Sequence, residues 1–133
     1  MRCLIVDDEE LNRDIVGALL KDAAEYDEAA CGNEAIDKFS AALQNGARYD
    51  LVLLDILMPE MSGHEAAKAM REIEKKEGIT GNDKAHIVML TSLNSAQDAM
   101  ESFSVAQSSA YIVKPVSKEK LFNVISKLGL LKK

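Results

Sequence analysis

Five short apolar runs recur along the chain: Cys3 to Val6, a weak one at Tyr26 to Cys31, Leu51 to Leu54, Ile87 to Leu90 and Ala110 to Val113. The stretches between them carry apolar residues at helical spacing. These are Leu11, Ile15, Ala18 and Leu19; Ala35, Ile36, Phe39, Ala42 and Leu43; Ala66, Ala67, Met70 and Ile73; Ala96, Ala99, Met100 and Phe103; and Leu121, Val124, Ile125 and Leu128. Runs that are apolar on both faces, alternating with amphipathic helices, predict parallel strands covered by helices on both sides. The expected fold is therefore α/β, a doubly wound (βα)5 sandwich. Each helical stripe is expected to be the buried face of its helix. Gly32-Asn33, Asn45-Gly46, Pro59 to Gly63, Gly78 to Asp83 and Lys114-Pro115 fall where elements should stop.

At 133 residues the chain suits one domain, expected to span 1–133. Its 47% hydrophobic and 29% charged residues are ordinary for a folded protein. A net charge of -6 repels nucleic acid and anionic membranes. No apolar stretch approaches the roughly 20 residues that span a bilayer, and the first residues lack a secretory signal, so a cytoplasmic protein is expected. Cys3 and Cys31, the only cysteines, have no zinc-binding spacing. Placed at opposite ends of neighbouring strands, they are expected to stay unpaired thiols.

In a doubly wound sheet, ligands bind beyond the carboxyl ends of the strands. The residues expected there are Asp7 and Asp8 after the first strand, Asp55 after the third, Thr91 and Ser92 after the fourth, and Lys114 after the fifth. Three crowded carboxylates repel one another or demand a cation. Hard oxygen ligands at a partly open site suit Mg2+, with Mn2+ as its substitute. A carboxylate can also attack phosphorus to form an aspartyl phosphate. A cation, the Lys114 ammonium and the Thr91 hydroxyl could then each neutralise one phosphoryl oxygen. Taken singly, each residue has a plainer reading. An Asp after a strand is usually a turn former, Asp8 to Glu10 suit a helix start, and a lone Lys is usually a solvated charge. Agreement at four strand ends is what favours a site.

The pieces Leu4-Ile-Val-Asp-Asp-Glu-Glu10, Leu51-Val-Leu-Leu-Asp-Ile-Leu-Met-Pro-Glu-Met-Ser-Gly63, Val88-Met-Leu-Thr-Ser92 and Tyr111-Ile-Val-Lys-Pro115 come in an order that resembles the receiver domain of two-component response regulators, of the chemotaxis-type single-domain kind. The resemblance implies a five-stranded sheet of order 2-1-3-4-5 and a phosphorelay switch whose phosphoacceptor is Asp55. It implies Asp8 as a direct Mg2+ ligand, Asp7 as a ligand through water, and the backbone carbonyl of Leu57 as a further ligand. Thr91 would contact the phosphoryl group and Lys114 would pair with it, across a cis Lys114-Pro115 peptide. Tyr111 matches an aromatic switch that turns inward as Thr91 moves. The implied partners are a sensor histidine kinase or phosphotransfer protein as donor, and a downstream effector in another chain. That effector would be bound at the face of the fourth helix, fifth strand and fifth helix. The resemblance leaves open a monomer or a phosphorylation-dependent dimer, and a complete small protein or part of a larger regulator or hybrid kinase.

Some positions depart from that pattern. Leu57 and Leu93 are apolar where many receivers carry groups that orient an attacking water, so slow loss of the phosphoryl group is expected. Gln107 stands at the expected end of the fourth helix, where the family often has Gly, and Gly78 to Asp83 lengthens the connection before the fourth strand. Gly63 suits the turn after the third strand if its φ is positive. His64 is expected to be exposed, and His86 to open a strand. One rival reading is a Mg2+-dependent phosphohydrolase using an aspartyl phosphate; its usual Asp-x-Asp is absent from Asp7-Asp8-Glu9. A flavodoxin-type FMN binder is disfavoured by the acidic first loop.

Overall fold

The computed structural model describes residues 1–56, 58–91 and 110–130, with Asn82 described by its backbone alone. Five parallel strands, β1 (Arg2–Val6), β2 (Glu25–Ala29), β3 (Leu51–Asp55), β4 (His86–Thr91) and β5 (Ala110–Val113), form one sheet of order β2-β1-β3-β4-β5. The expected strand order is thus observed. Three helices follow the first three strands: α1 (Glu10–Leu20), α2 (Gly32–Gln44) and α3 (Gly63–Lys76). A C-terminal helix spans Lys118–Lys127 after β5. The stripe Ala96 to Phe103, read as the fourth of five predicted helices, lies outside the described residues, as does Gln107.

Alternate strand side chains point to opposite faces, and this splits the core in two. Leu4, Val6, Val52, Leu54, Ile87 and Met89 pack beneath Ala35, Phe39 and Ala42 of α2 and Ala66, Ala67 and Met70 of α3. Cys3, Ile5, Leu51, Leu53, Val88 and Leu90 pack on the other face against Val16 and Leu20 of α1 and Leu121 and Ile125 of the C-terminal helix. The central strands β1 and β3 are almost wholly buried. That explains their uninterrupted apolar runs, while β2, at an edge, reads Glu-Tyr-Asp-Glu-Ala and is mostly exposed.

Three expectations require correction. The stripe assigned to α1 is not its buried face: Leu11 is 68% and Ile15 46% exposed, and Ala18 is exposed. The helix turns Val16, Gly17 and Leu20 inward. Apolar residues occur on both sides of α1, so periodicity could not choose between them. Gly17 decides, because a Cβ there would lie 2.6 Å from the Tyr26 hydroxyl oxygen on β2. Cys31 does not end β2, which stops at Ala29; it caps α2, and both cysteines are free thiols. His64, the second residue of α3, is half-buried rather than exposed. His86 does open β4.

The long connection after α3 is pinned by a buried clamp. Glu74, 1% exposed, accepts the Ala85 amide at 2.7 Å and pairs with Arg71 at 2.6 Å, and Arg71 donates to the Ala85 carbonyl at 2.8 Å. Both ends of one peptide-bearing residue are thereby held to α3, which sets where β4 starts.

Candidate functional site

The backbone brings the sequence-predicted residues to one edge of the sheet. Parallel registers pair Val6 with Leu54, Asp55 with Leu90 and Thr91 with Val113, so the ends of β1, β3, β4 and β5 are level. Asp55 and Thr91 are the last residues of their strands rather than the first beyond them. The Asp7 amide extends the β1–β2 ladder by donating to the Ala29 carbonyl at 3.1 Å, and the Lys114 amide extends β4–β5 by donating to the Thr91 carbonyl at 2.6 Å. Thr91 and Lys114 are thus tied through their main chains.

Asp7 is 1% and Asp55 6% exposed, and both are carboxylates in places where unpaired charge is costly. Lys114 answers both: its Nζ lies 3.3 Å from Asp7 Oδ2 and 3.2 Å from Asp55 Oδ1. Partial burial works to lower the Lys114 pKa, but the carboxylates of Asp55 and Asp7 outweigh it and hold the ammonium above its usual value. The other Asp7 oxygen accepts the Glu9 amide at 2.9 Å, which fixes the carboxylate against the start of α1. Asp8, by contrast, is exposed at the mouth. Asp7, Asp8 and Asp55 each offer a carboxylate oxygen, all within 4.8 Å of one another. Three hard oxygen donors, two buried and one open to solvent, fit a small divalent cation that keeps part of its hydration shell. The Leu57 carbonyl, expected as a further ligand, lies outside the described residues, as do Ser92 and Leu93.

The Lys114-Pro115 peptide is cis, as expected. Thr91 is buried at 1%, and Tyr111, on β5, is 40% exposed. Gly63 does not have the positive φ that would have given it a turn role; in this turn the positive φ belongs to Glu60, φ 68°. Gly63 has another role. A Cβ there would lie 2.3 Å from the Asp55 carbonyl oxygen and 2.8 Å from Ile56 Cα, and the Gly63 amide donates to the Ile56 carbonyl at 2.9 Å. The start of α3 therefore presses directly on the backbone of Asp55, a contact only glycine permits.

Two features escaped the sequence. Arg13 of α1 donates to the Asp7 carbonyl at 2.8 Å and pairs with Glu28 of β2 at 3.1 Å; a single Arg in a polar helix turn carries no signal of such a bond. Beside the site, Ile15, Val16, Pro115 and Val116 line an open cleft of about 340 Å3 that reaches Asp7 and Lys114. The exposure of Ile15 in that cleft, and of Leu11 one turn earlier on α1, is invisible to periodicity for the reason given above.

Comparison with known proteins places these features in context. The family model described as the response regulator receiver domain matches residues 3–126. The chain is 38% identical to the two-component response regulator ORR41 of Oryza sativa subsp. japonica, covering 98% of this chain and 95% of that protein. It is 29% identical to hybrid signal transduction histidine kinase L of Dictyostelium discoideum, over 96% of this chain but only 7% of the kinase. Among solved structures, the receiver domain of the Saccharomyces cerevisiae response regulator Ssk1, in its complex with the histidine phosphotransfer protein Ypd1, superposes with a TM-score of 0.79. It is 30% identical, over 97% of this chain and 88% of that one.

Proposed function

The chain belongs to the response regulator receiver family of two-component signalling, and from that premise we propose that it is a phosphorylation-activated switch whose phosphoacceptor is Asp55. The single observation that carries this reading is the placing of Asp55. It is a buried carboxylate 3.2 Å from the Lys114 ammonium, sharing a cluster with the oxygens of Asp7 and Asp8.

In the proposed reaction an Asp55 oxygen attacks the phosphorus of a phosphohistidine. The P–O bond forms as the P–N bond breaks, and the imidazole leaves as a neutral base after taking up a proton. Mg2+ held by Asp7, Asp8 and Asp55 would neutralise phosphoryl charge. Lys114 would pair with the new phosphoryl oxygens in place of the Asp55 carboxylate it now contacts, and the Thr91 hydroxyl would donate to a remaining phosphoryl oxygen. Movement of Thr91 at the end of β4 frees space towards which the exposed ring of Tyr111 can turn. The side of the sheet carrying β5 and the C-terminal helix then presents a changed surface to an effector in another chain. This receiver acts by binding, with its own phosphoryl uptake and loss as its chemistry, in the cytoplasm.

The donor is a sensor histidine kinase or a phosphotransfer protein, the second being the partner in the Ssk1 receiver complex. Exposed Ile15, which lines the cleft that opens to Asp7 and Lys114, and exposed Leu11, one turn earlier on α1, supply an apolar contact for it. The test is incubation with Mg2+ and acetyl phosphate or beryllofluoride, read by mass and by Tyr111 fluorescence, beside the Asp55→Ala variant. Modification or a Tyr111 response that persists without Asp55 would overturn the assignment, as would turnover of small phosphate esters, which marks a phosphohydrolase.

A further inference from the structure

Arg13 lies on α1 with its side chain largely covered, and it does not touch the carboxylates that make up the site. Its guanidinium spans two elements: NH1 donates to the Asp7 carbonyl at 2.8 Å, and Nε donates to Glu28 Oε1 on β2 at 3.1 Å. Glu28 is itself held, because its own carbonyl accepts the Lys38 ammonium of α2. The Asp7 carbonyl belongs to the peptide that joins Asp7 to Asp8, the two acidic residues of the first loop. The amides on either side are fixed separately, that of Asp7 on the Ala29 carbonyl and that of Glu9 on Asp7 Oδ1.

We infer that Arg13 is a positioning residue for the cation site, acting through the Asp7–Asp8 peptide. The inference rests on the reading that Asp7, Asp8 and Asp55 hold Mg2+. A charge-assisted bond to the carbonyl fixes the plane of that peptide, and so the direction in which the exposed Asp8 carboxylate is offered. Because the guanidinium meets the first loop at its main chain rather than at a ligand carboxylate, it orients the ligands without occupying them. Lys114 takes that second role, with its ammonium on Asp7 and Asp55. Glu28 sets the reach of Arg13 and keeps its charge from folding over into the cluster. Groups that orient metal ligands from outside typically change affinity by about 10- to 100-fold when removed.

The test compares wild type with Arg13→Met, Arg13→Lys and Glu28→Gln, using Mn2+ binding by electron paramagnetic resonance with Mg2+ as competitor. Amide exchange at Glu9 in metal-free protein and thermal unfolding are read alongside. Arg13→Met is expected to bind about tenfold more weakly and to exchange its Glu9 amide faster with no metal present. Arg13→Lys should recover part of the loss, since one ammonium can meet the Asp7 carbonyl or Glu28 but not both in a fork. Unchanged affinity in an Arg13→Met protein that unfolds at the wild-type temperature would overturn the inference. If Arg13→Met does not fold, Glu28→Gln decides: a weaker cation affinity supports the strut, and an unchanged one overturns it. Failure of the wild type itself to bind Mn2+ would remove the cation site, an outcome distinct from a failure confined to Arg13.

Discussion

Replacing Gly63 by Ala presses one methyl group against the backbone of Asp55. The new Cβ would stand 2.3 Å from the Asp55 carbonyl oxygen and 3.0 Å from its carbonyl carbon, whereas real Cβ atoms essentially never approach closer than 3.0 Å. Relief therefore needs α3 and the end of β3 to part by about 0.7 Å, from 2.3 to 3.0 Å. The atoms in the way are main chain, so no side-chain rotation can supply that movement. Overpacking of this kind costs roughly 1–3 kcal/mol, and the rigidity of both partners argues for about 3. Ala gains up to about 1 kcal/mol over Gly at a helical position, leaving a net loss of about 2 kcal/mol. With a urea slope of roughly 2 kcal/mol per molar, the unfolding midpoint should fall by about 1 M. Gly46→Ala is the control: Gly46 has φ 71° and nothing within 4 Å of a Cβ, so it should lose only the left-handed penalty, about 1 kcal/mol. Below the unfolding range, Gly63→Ala should also take up phosphate from acetyl phosphate more slowly, because the forced movement carries Asp55 with it, while Gly46→Ala should not. A Gly63→Ala protein no less stable than Gly46→Ala, and phosphorylated at the wild-type rate, would refute the reasoning.

Glu74→Ala leaves Arg71 and the Ala85 amide without their buried partner and should cost about 3 kcal/mol, whereas Asp83→Ala, which breaks the exposed pair with Arg48, should cost under about 1 kcal/mol; equal midpoints in urea would contradict the clamp. Burial, reinforced by Arg71 and opposed by Asp50, holds the His86 pKa below the ordinary histidine value. The unfolded chain therefore binds the proton more readily, and this part of the stability, intact above about pH 7, falls as pH drops through the ordinary histidine range. His86→Gln should lose less stability than wild type between pH 7.5 and pH 5.5 in urea titrations, and parallel losses would count against it. Acid-labile phosphate on Asp55 should decay slowly, since Leu57 and Leu93 offer no hydrogen bond to a water; loss within seconds would contradict that.

The βα alternation and the site residues Asp7, Asp8, Asp55, Thr91 and Lys114 were legible because each follows from local pattern. A strand buried on both faces must be apolar throughout, so the first polar residue at its carboxyl end stands out, and parallel pairing brings those ends together whatever the intervening helices contain. The inward face of α1, the need for glycine at position 63 and the grip of Arg13 on the Asp7 carbonyl were not legible. Apolar residues lie on both sides of α1, so the hydrophobic effect alone does not orient it; the close approach of Gly17 to Tyr26 where α1 packs on β2 does. Gly63 meets Asp55, and Arg13 meets Glu28, only after the chain has folded back over itself. Sequence by itself determined the sheet, its layers and the acidic edge, because hydrophobic periodicity is a property of neighbours along the chain. Only the tertiary structure decided which helix face is exposed beside that edge and what holds its carboxylates in place, because steric contact and hydrogen bonding act between residues that the chain leaves far apart.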